Sequence, residues 1–253
     1  MTNSKIALIT GGSRGLGRNM AINLAKKGIN VIITYYSNST AADEVVDEIN
    51  QLGSRGKAFQ LDTSNIKGFN AFLSQLSSYL KSETTTGCFD FLINNAGTGI
   101  YQNIVETTEE QFDEMCNVHF KGVYFLSQKA LPYINDGGRI INISSGLVRY
   151  SFPSASAYAC MKGAVEVFSR YLAKELADRK IAVNTVAPGA IATDFGGGEN
   201  KTNDKKIDFI ANSTALGRIG EPNDIGGVVA FLCTEDAKWV NGQRIEVTGG
   251  MLL

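Results

Sequence analysis

Short runs of apolar, largely β-branched residues alternate along the chain with longer stretches whose apolar positions recur every three or four residues. The runs are Lys5–Thr10, Asn30–Tyr35, Lys57–Leu61, Phe89–Asn94, Arg139–Ile143, Ala182–Ala187 and Arg244–Val247. The first two and Ile140–Ile143 are apolar at nearly every position, as strands covered on both faces should be. Between the runs, Leu16, Met20 and Leu24 predict one helix face, with Gly28 suited to its C-terminal cap. Val45, Val46, Ile49 and Leu52 predict a second face closed by Gly53, and Phe69, Phe72, Leu73, Leu76 and Leu80 a third. Thr108-Glu109-Glu110-Gln111 reads as a capping box opening a fourth helix, and Pro222 suits the first position of the last one.

This alternation predicts an α/β fold, a doubly wound parallel sheet with helices on both faces. No linker breaks it, so residues 1–253 read as a single domain. The polar stretch Lys81–Gly87 is short enough to join a helix to a strand. Residues 194–212 predict a long loop, with Gly196-Gly197-Gly198 followed by mixed charges; such a loop is a substrate lid or a plain surface insertion.

Composition narrows the function. A chain of 253 residues buries enough surface to fold without metal or disulfide staples. Lys+Arg is 24 against Asp+Glu 25, a net charge of -1, which argues against a nucleic-acid binder. Hydrophobic content of 43% with 19% charged residues is globular rather than disordered. The 4 cysteines lie far apart and the single histidine is His119, so no metal site is expected. The apolar run at the N-terminus is too short for a signal segment or a membrane span, giving a cytoplasmic expectation.

Candidate chemistry begins at Thr10-Gly11-Gly12-Ser13-Arg14-Gly15-Leu16-Gly17, after the first strand and opening the first helix. Its spacing is G-x-x-x-G-x-G. Absent Cβ atoms let the backbone approach a pyrophosphate, and the helix start offers free N–H groups. A tight strand–helix turn also needs glycine, but the place in the first βα unit favours the phosphate reading. No Gly-Lys-Ser/Thr follows, so it is not a P-loop. At the end of the second strand, Thr34-Tyr35-Tyr36-Ser37-Asn38 holds no carboxylate to bind a ribose hydroxyl. With Arg14 available to a phosphate, this favours NADP(H) over NAD(H).

Tyr158 and Lys162 are spaced i, i+4 and share a helix face. A cation ~5 Å from the phenol, at an effective dielectric of ~20, favours the phenolate by roughly 3 kcal/mol, about two pKa units. That tunes the phenol for proton transfer.

Taken in order, Gly11-x-x-x-Gly15-x-Gly17, Asn94-Asn95-Ala96-Gly97, Ser144-Ser145, Tyr158-x-x-x-Lys162 and Pro188-Gly189 resemble the motifs of the short-chain dehydrogenase/reductase family over essentially the whole chain. The resemblance implies a Rossmann-like fold with a seven-stranded parallel sheet, and assembly as a homotetramer or homodimer. It implies Tyr158 as general acid, Lys162 as its partner and a ligand of the nicotinamide ribose, and Ser145 rather than Ser144 on the substrate oxygen. Asn117 resembles the helix asparagine that holds a proton-relay water. For the cofactor it implies Gly11, Ser13, Arg14, Gly15, Leu16 and Gly17 at the phosphates, and Tyr35, Tyr36 and Ser37 at the adenosine ribose. Asp62 and Thr63 fall beside the adenine, Asn95, Ala96 and Gly97 beside the dinucleotide, and Pro188, Gly189, Ile191 and Thr193 near the nicotinamide.

Other residues take plainer readings. His119 reads as a packing residue, Cys160 as unreactive, Trp239 and Phe231 as packing or subunit contacts, and Lys201, Lys205 and Lys206 as a solvated face. The substrate pocket is expected over Ser145 and Tyr158, walled by Gly97–Tyr101, Gly146–Phe152 and residues 194–212, with Arg149 as an anion contact. The chain also resembles 3-oxoacyl-carrier-protein reductases, but Asp136 stands where basic residues would meet an acidic carrier. A small-molecule ketone or alcohol is therefore the favoured substrate. The alternatives are a carrier-protein reductase and a catalytically silent NADPH-binding regulator.

Overall fold

A computed structural model describes residues 4–253. Its centre is a parallel sheet of β1 (Ile6–Ile9), β2 (Asn30–Tyr35), β3 (Gly56–Gln60), β4 (Phe89–Asn94), β5 (Ile134–Ile143), β6 (Ala182–Pro188) and β7 (Arg244–Val247). The 7-stranded order is β3-β2-β1-β4-β5-β6-β7. The chain reverses its direction of winding between β1 and β4, and ligands of such sheets bind at the carboxyl ends of the strands there.

Side chains alternate across each strand, so each strand feeds two cores. On one face Ala7, Ile9, Val31, Ile33, Ile93 and Ile143 pack under α1 (Gly15–Ala25), α2 (Ser39–Gln51) and α9 (Pro222–Leu232). On the other, Ile6, Leu8, Ile32, Leu92, Ile140 and Val183 pack under α3 (Phe69–Glu83), α5 (Gly122–Ala130) and α6 (Ser156–Glu175). This double coverage is why the central runs are apolar at nearly every position, whereas the edge strands β3 and β7 are only partly buried and keep polar residues. The remaining helices are α4 (Glu109–Cys116), α7 (Glu199–Thr202) and α8 (Asp204–Asn212).

The expected helix punctuation is present. Gly28 and Gly53 follow α1 and α2 at φ +75° and +85°. Thr108 and Gln111 close a reciprocal capping box on α4, and Pro222 opens α9 behind a capping Glu221. Two expectations need correction. Leu52 is 40% exposed, because it caps α2 instead of continuing its face; Ala42, Val45 and Ile49 are the buried residues. Residues 194–212 are largely helical: α8 is capped by the Asn203 side chain and buries only Ile210, so its apolar signal is too thin to read as a helix.

Between α4 and α5 the helix widens into a π-helical turn, Asn117–Lys121, closed by the Gly122 N–H on the Asn117 carbonyl. Such turns shift the phase of a helix face and gather at functional sites. Among the described residues no helix is long and apolar enough to cross a membrane.

Candidate active site

A cleft of about 1030 Å³ runs along the carboxyl ends of β1, β2, β4, β5 and β6. One end is the turn after β1. Gly11 holds φ +65°, and a Cβ there would lie 2.9 Å from the Ala96 Cα. A Cβ on Gly17 would lie 2.1 Å from the Gly11 carbonyl oxygen, so the turn and α1 interlock only without side chains. Thr10 Oγ1 accepts from the backbone N–H groups of Asn95 and Ala96, both at 2.9 Å, and Asn95 Nδ2 donates to the Thr10 carbonyl at 2.9 Å. These bonds fix the turn to the end of β4. No acidic residue occupies the first turn of α1 and no side chain caps it, and Gly15, Leu16 and Gly17 of that turn line the cleft, a setting that suits an anion.

Ser13, Arg14, Gly15, Leu16, Tyr35, Tyr36, Asp62, Thr63, Asn95, Ala96 and Gly97 line this half of the cleft. Asp62 Oδ1 is engaged by the Ser64 N–H and hydroxyl at 2.9 and 2.7 Å, which orients the carboxylate. Tyr35 packs partly into the core, whereas Tyr36 is 69% exposed. Ser37 is exposed beyond the strand end and does not line the cleft, contrary to expectation.

At the other end lie Ser145, Tyr158, Lys162, Pro188, Gly189, Ile191 and Thr193. Ser145 begins a short helical turn, and its Oγ accepts the Leu147 N–H at 3.2 Å. Ser144 instead donates to the buried Glu166 Oε1 at 2.7 Å. Glu166 is held in turn by Arg244 at 2.7 Å, and Arg244 also reaches the Ser145 carbonyl at 3.3 Å. This assigns the two serines to different tasks.

The i, i+4 spacing does put Tyr158 and Lys162 together, with Nζ 5.6 Å from the ring centroid and donating to the Ile143 carbonyl at 2.8 Å. Their electrostatics differ from the sequence expectation. Burial holds the Tyr158 phenol above its ordinary value, opposed by the Ser145 hydroxyl. Burial likewise lowers Lys162 to about 7, so the amine is a weak cation in this setting.

Asn117 does not line the cleft; His119, two residues on, does. The π-helical turn accounts for the difference, since it carries His119 to the inner face. His119 is completely buried, as a packing residue would be, but its ring packs edge-on against Tyr158 with centroids 4.9 Å apart. Nothing in an i, i+4 pattern signals that placement.

Aromatic side chains wall the outer part. Tyr101, Tyr150 and Phe152 line it, within the two segments expected to wall the pocket. Phe195 and Phe209 come from the segment read as a loop. Phe195 lies 5.8 Å from the Tyr158 ring and Phe209 5.9 Å from Phe152, centroid to centroid. Lys206 also lines the cleft, paired with Glu199 at 2.9 Å and 5.9 Å over the Tyr101 ring, so it is not simply a solvated charge.

Arg149 is not an anion contact in the cleft. It pairs with Glu246 at 2.7 Å and donates to the Met251 and Leu252 carbonyls. Asp136 and Arg179 neutralise each other at 2.7 Å. Trp239 is 95% exposed.

Comparison with known proteins agrees with this geometry. Residues 11–252 match the protein-family model adh_short_C2, described as Enoyl-(Acyl carrier protein) reductase. The hydroxynaphthalene reductase-like protein Arp2 of Metarhizium brunneum is 37% identical over 257 residues, covering 97% of this chain and 94% of that one. The short chain dehydrogenase/reductase AacuN of Aspergillus aculeatus is 35% identical, covering 97% of this chain and 95% of its own length. Among solved structures, the promiscuous reductase LugOII, which catalyses keto-reduction at C1 during lugdunomycin biosynthesis, superposes with a TM-score of 0.92 at 39% identity, covering 98% of both chains. The landomycin C-6 ketoreductase LanV, with bound NADP and rabelomycin, gives a TM-score of 0.89 at 36% identity, covering 98% of this chain and 96% of that one. The glycine turn, the serine loop and the Tyr158–Lys162 pair thus sit on a sheet shared along its whole length with these reductases, and the chain is an oxidoreductase belonging to the short-chain dehydrogenase/reductase family.

Proposed function

We propose that this chain is an NADP(H)-dependent ketoreductase whose substrates are aromatic, polycyclic ketones. The observation that carries the reading is one continuous cleft that joins a phosphate-sized glycine turn to Ser145, Tyr158 and Lys162 under aromatic walls. Bound NADPH supplies the hydride for the carbonyl carbon. The backbone N–H groups opening α1 hold the pyrophosphate. Arg14, exposed and without a side-chain partner among the described residues, meets the ribose phosphate.

The proton comes from the protein. Ser145 Oγ donates to the carbonyl oxygen and orients it, and Tyr158 Oη delivers the proton as the alcohol forms. The phenol's raised pKa suits an acid that stays protonated until charge develops on the substrate oxygen. Lys162 then stabilises the phenolate and binds the nicotinamide ribose. Tyr101, Tyr150, Phe152, Phe195 and Phe209 offer ring faces and edges to a flat substrate. We read residues 194–212 as the lid, since Phe195 and Phe209 reach the cleft from it. Keto-reduction at C1 by LugOII, the rabelomycin bound to LanV and the likeness to hydroxynaphthalene reductase-like proteins support the substrate class.

A carrier-protein substrate is disfavoured because Asp136 stands at that rim and pairs with Arg179 at 2.7 Å. A homotetramer in the cytoplasm is the assembly and setting this reading carries, checked by light scattering and fractionation.

The test is oxidation of NADPH, with NADH in parallel, across small ketones, hydroxylated polycyclic ketones and a 3-oxoacyl thioester with and without carrier protein. Turnover of the polycyclic ketones is expected, falling at least ~100-fold in kcat for Tyr158→Phe with the fold intact. Turnover dependent on carrier protein overturns the substrate class. Equal rates in wild type and Tyr158→Phe overturn the chemistry, and NADPH binding without any turnover points to a silent regulator.

A further inference from the structure

His119 lines the floor of the cleft yet has no part in the reduction as set out above. Its ring is fixed from several sides. It packs edge-on to Tyr158 at an interplanar angle of 87°. Its Cε1–Nδ1 edge faces Gly97, where an added Cβ would lie 2.8 Å from Cε1 and 3.4 Å from Nδ1. Nε2 lies 2.7 Å from the Thr98 carbonyl oxygen. Two acceptors do not approach so closely without a proton between them, so Nε2 carries the hydrogen and Nδ1 is the bare acceptor. Burial, with Lys162 nearby, lowers the imidazole to about 3, which leaves this tautomer uncharged at neutral pH.

Nδ1 is buried and has no hydrogen-bond partner among the described residues. A buried acceptor left so costs about 1–3 kcal/mol, and an orphan of this kind at a reactive site points to a group that it serves. Asn117, the residue expected to hold the proton-relay water, is outside the cleft.

We propose that His119 is a positioning residue for ketone reduction: its ring sets the Tyr158 phenol, and its Nδ1 accepts a hydrogen bond from the water that returns a proton to Tyr158. In the step, hydride adds to the carbonyl carbon and the Tyr158 proton passes to the carbonyl oxygen, leaving a phenolate. The water then gives that phenolate a proton and regains one from solvent. His119 accepts a hydrogen bond throughout and is never protonated. The inference rests on the ketoreductase reading above.

Three variants separate its parts. His119→Asn keeps an acceptor near the Nδ1 place, His119→Gln places its amide near the Nε2 place, and His119→Phe keeps the ring alone. Each is measured for thermal unfolding, NADPH affinity by fluorescence, and kcat and KM on a ketone that the wild type reduces. Phe and Gln are expected to lose at least ~tenfold in kcat, with ketone KM and NADPH Kd within ~threefold of wild type, while Asn stays within ~threefold in kcat. A Phe variant with wild-type kcat overturns the proposal. So does Gln rescuing as well as Asn, which makes the Thr98 anchor the whole role, or loss of NADPH binding together with kcat, which makes it structural. Should the Phe variant not fold, the Asn–Gln comparison decides. A wild type that reduces no ketone overturns the ketoreductase reading and this inference together; an active wild type with indifferent variants overturns this inference alone.

Discussion

Replacing Lys162 by methionine should stabilise this protein while abolishing its turnover. Lys162 is 3% exposed and makes no ion pair among the described residues, its one hydrogen bond going to the Ile143 carbonyl at 2.8 Å. Burial moves the amine from 10.5 to about 7. At about 1.4 kcal/mol per pKa unit, holding it charged costs on the order of 4–5 kcal/mol. Methionine removes that cost but leaves the Ile143 carbonyl unpartnered, at about 1–3 kcal/mol. The net gain is roughly 1–4 kcal/mol, and for a chain of this size that raises Tm by roughly 2–16 °C. The sign with pH follows from linkage. Below the folded value of about 7, the amine is charged in both folded and unfolded states and the cost is complete. Between that value and 10.5 the unfolded chain binds more protons, so wild-type stability rises with pH. The variant lacks this rise, and its advantage should shrink to near zero by about pH 9. Calorimetry of both proteins without cofactor, at about pH 6 and pH 9, is the assay. A methionine variant less stable than wild type at the lower pH, or a difference in Tm that ignores pH, would refute the reasoning.

In Gly17→Ala the new Cβ would lie 2.1 Å from the Gly11 oxygen and 2.6 Å from Asn95 Nδ2. Displacing that turn should weaken NADPH roughly 10–100-fold, as ~1–3 kcal/mol of overpacking implies; unchanged affinity in a fluorescence titration would move the pyrophosphate elsewhere. Tyr36→Asp places a carboxylate on an exposed cleft residue and should lower the NADPH:NADH ratio of kcat/KM at least ~tenfold, while an unchanged ratio contradicts the placement of the ribose phosphate. Arg244→Leu strips the cation from Glu166, whose side chain is 9% exposed. It should cost about 3 kcal/mol in denaturant unfolding, and Glu166→Gln in the same chain should restore much of it; no rescue means the loss is packing, not charge.

Much of this fold was legible because its signals are local. β2 and β4 have the bounds their apolar runs suggested, since a strand buried on both faces announces itself at nearly every position; β7, a partly buried edge strand, kept its bounds through the alternation of Ile245 and Val247 with Arg244 and Glu246. The glycine turn and the Tyr158–Lys162 spacing are equally local. What escaped depends on phase or on distant partners. The family resemblance pointed to Asn117, but a motif carries no helix phase, and His119 of the π-helical turn at Asn117–Lys121 lines the cleft where Asn117 does not. Phe195 and Phe209 lay in a stretch dominated by glycine and charge, where one buried Ile210 could not mark a helix. Arg149 looked available because its partners, Glu246 and the Met251 and Leu252 carbonyls, come about a hundred positions later. No window on the sequence spans that separation.

Those same late partners affect the order in which the molecule can become competent. Arg149 follows the Ser145 turn and is tied to residues 246, 251 and 252, while Arg244 ties Glu166 and the Ser145 carbonyl to the last strand. During synthesis the glycine turn, built between β1 and β4, has its partners long before the serine loop has its own. Closing so long a loop is entropically costly and comes late. The half of the cleft that handles the ketone is therefore framed only once the last strand is in place, and α1, which shares a core with α9, also waits on late residues for its full packing. Proteolytic trimming of residues 251 and 252 would remove two of the carbonyls that hold Arg149, and with them part of the frame of the serine loop.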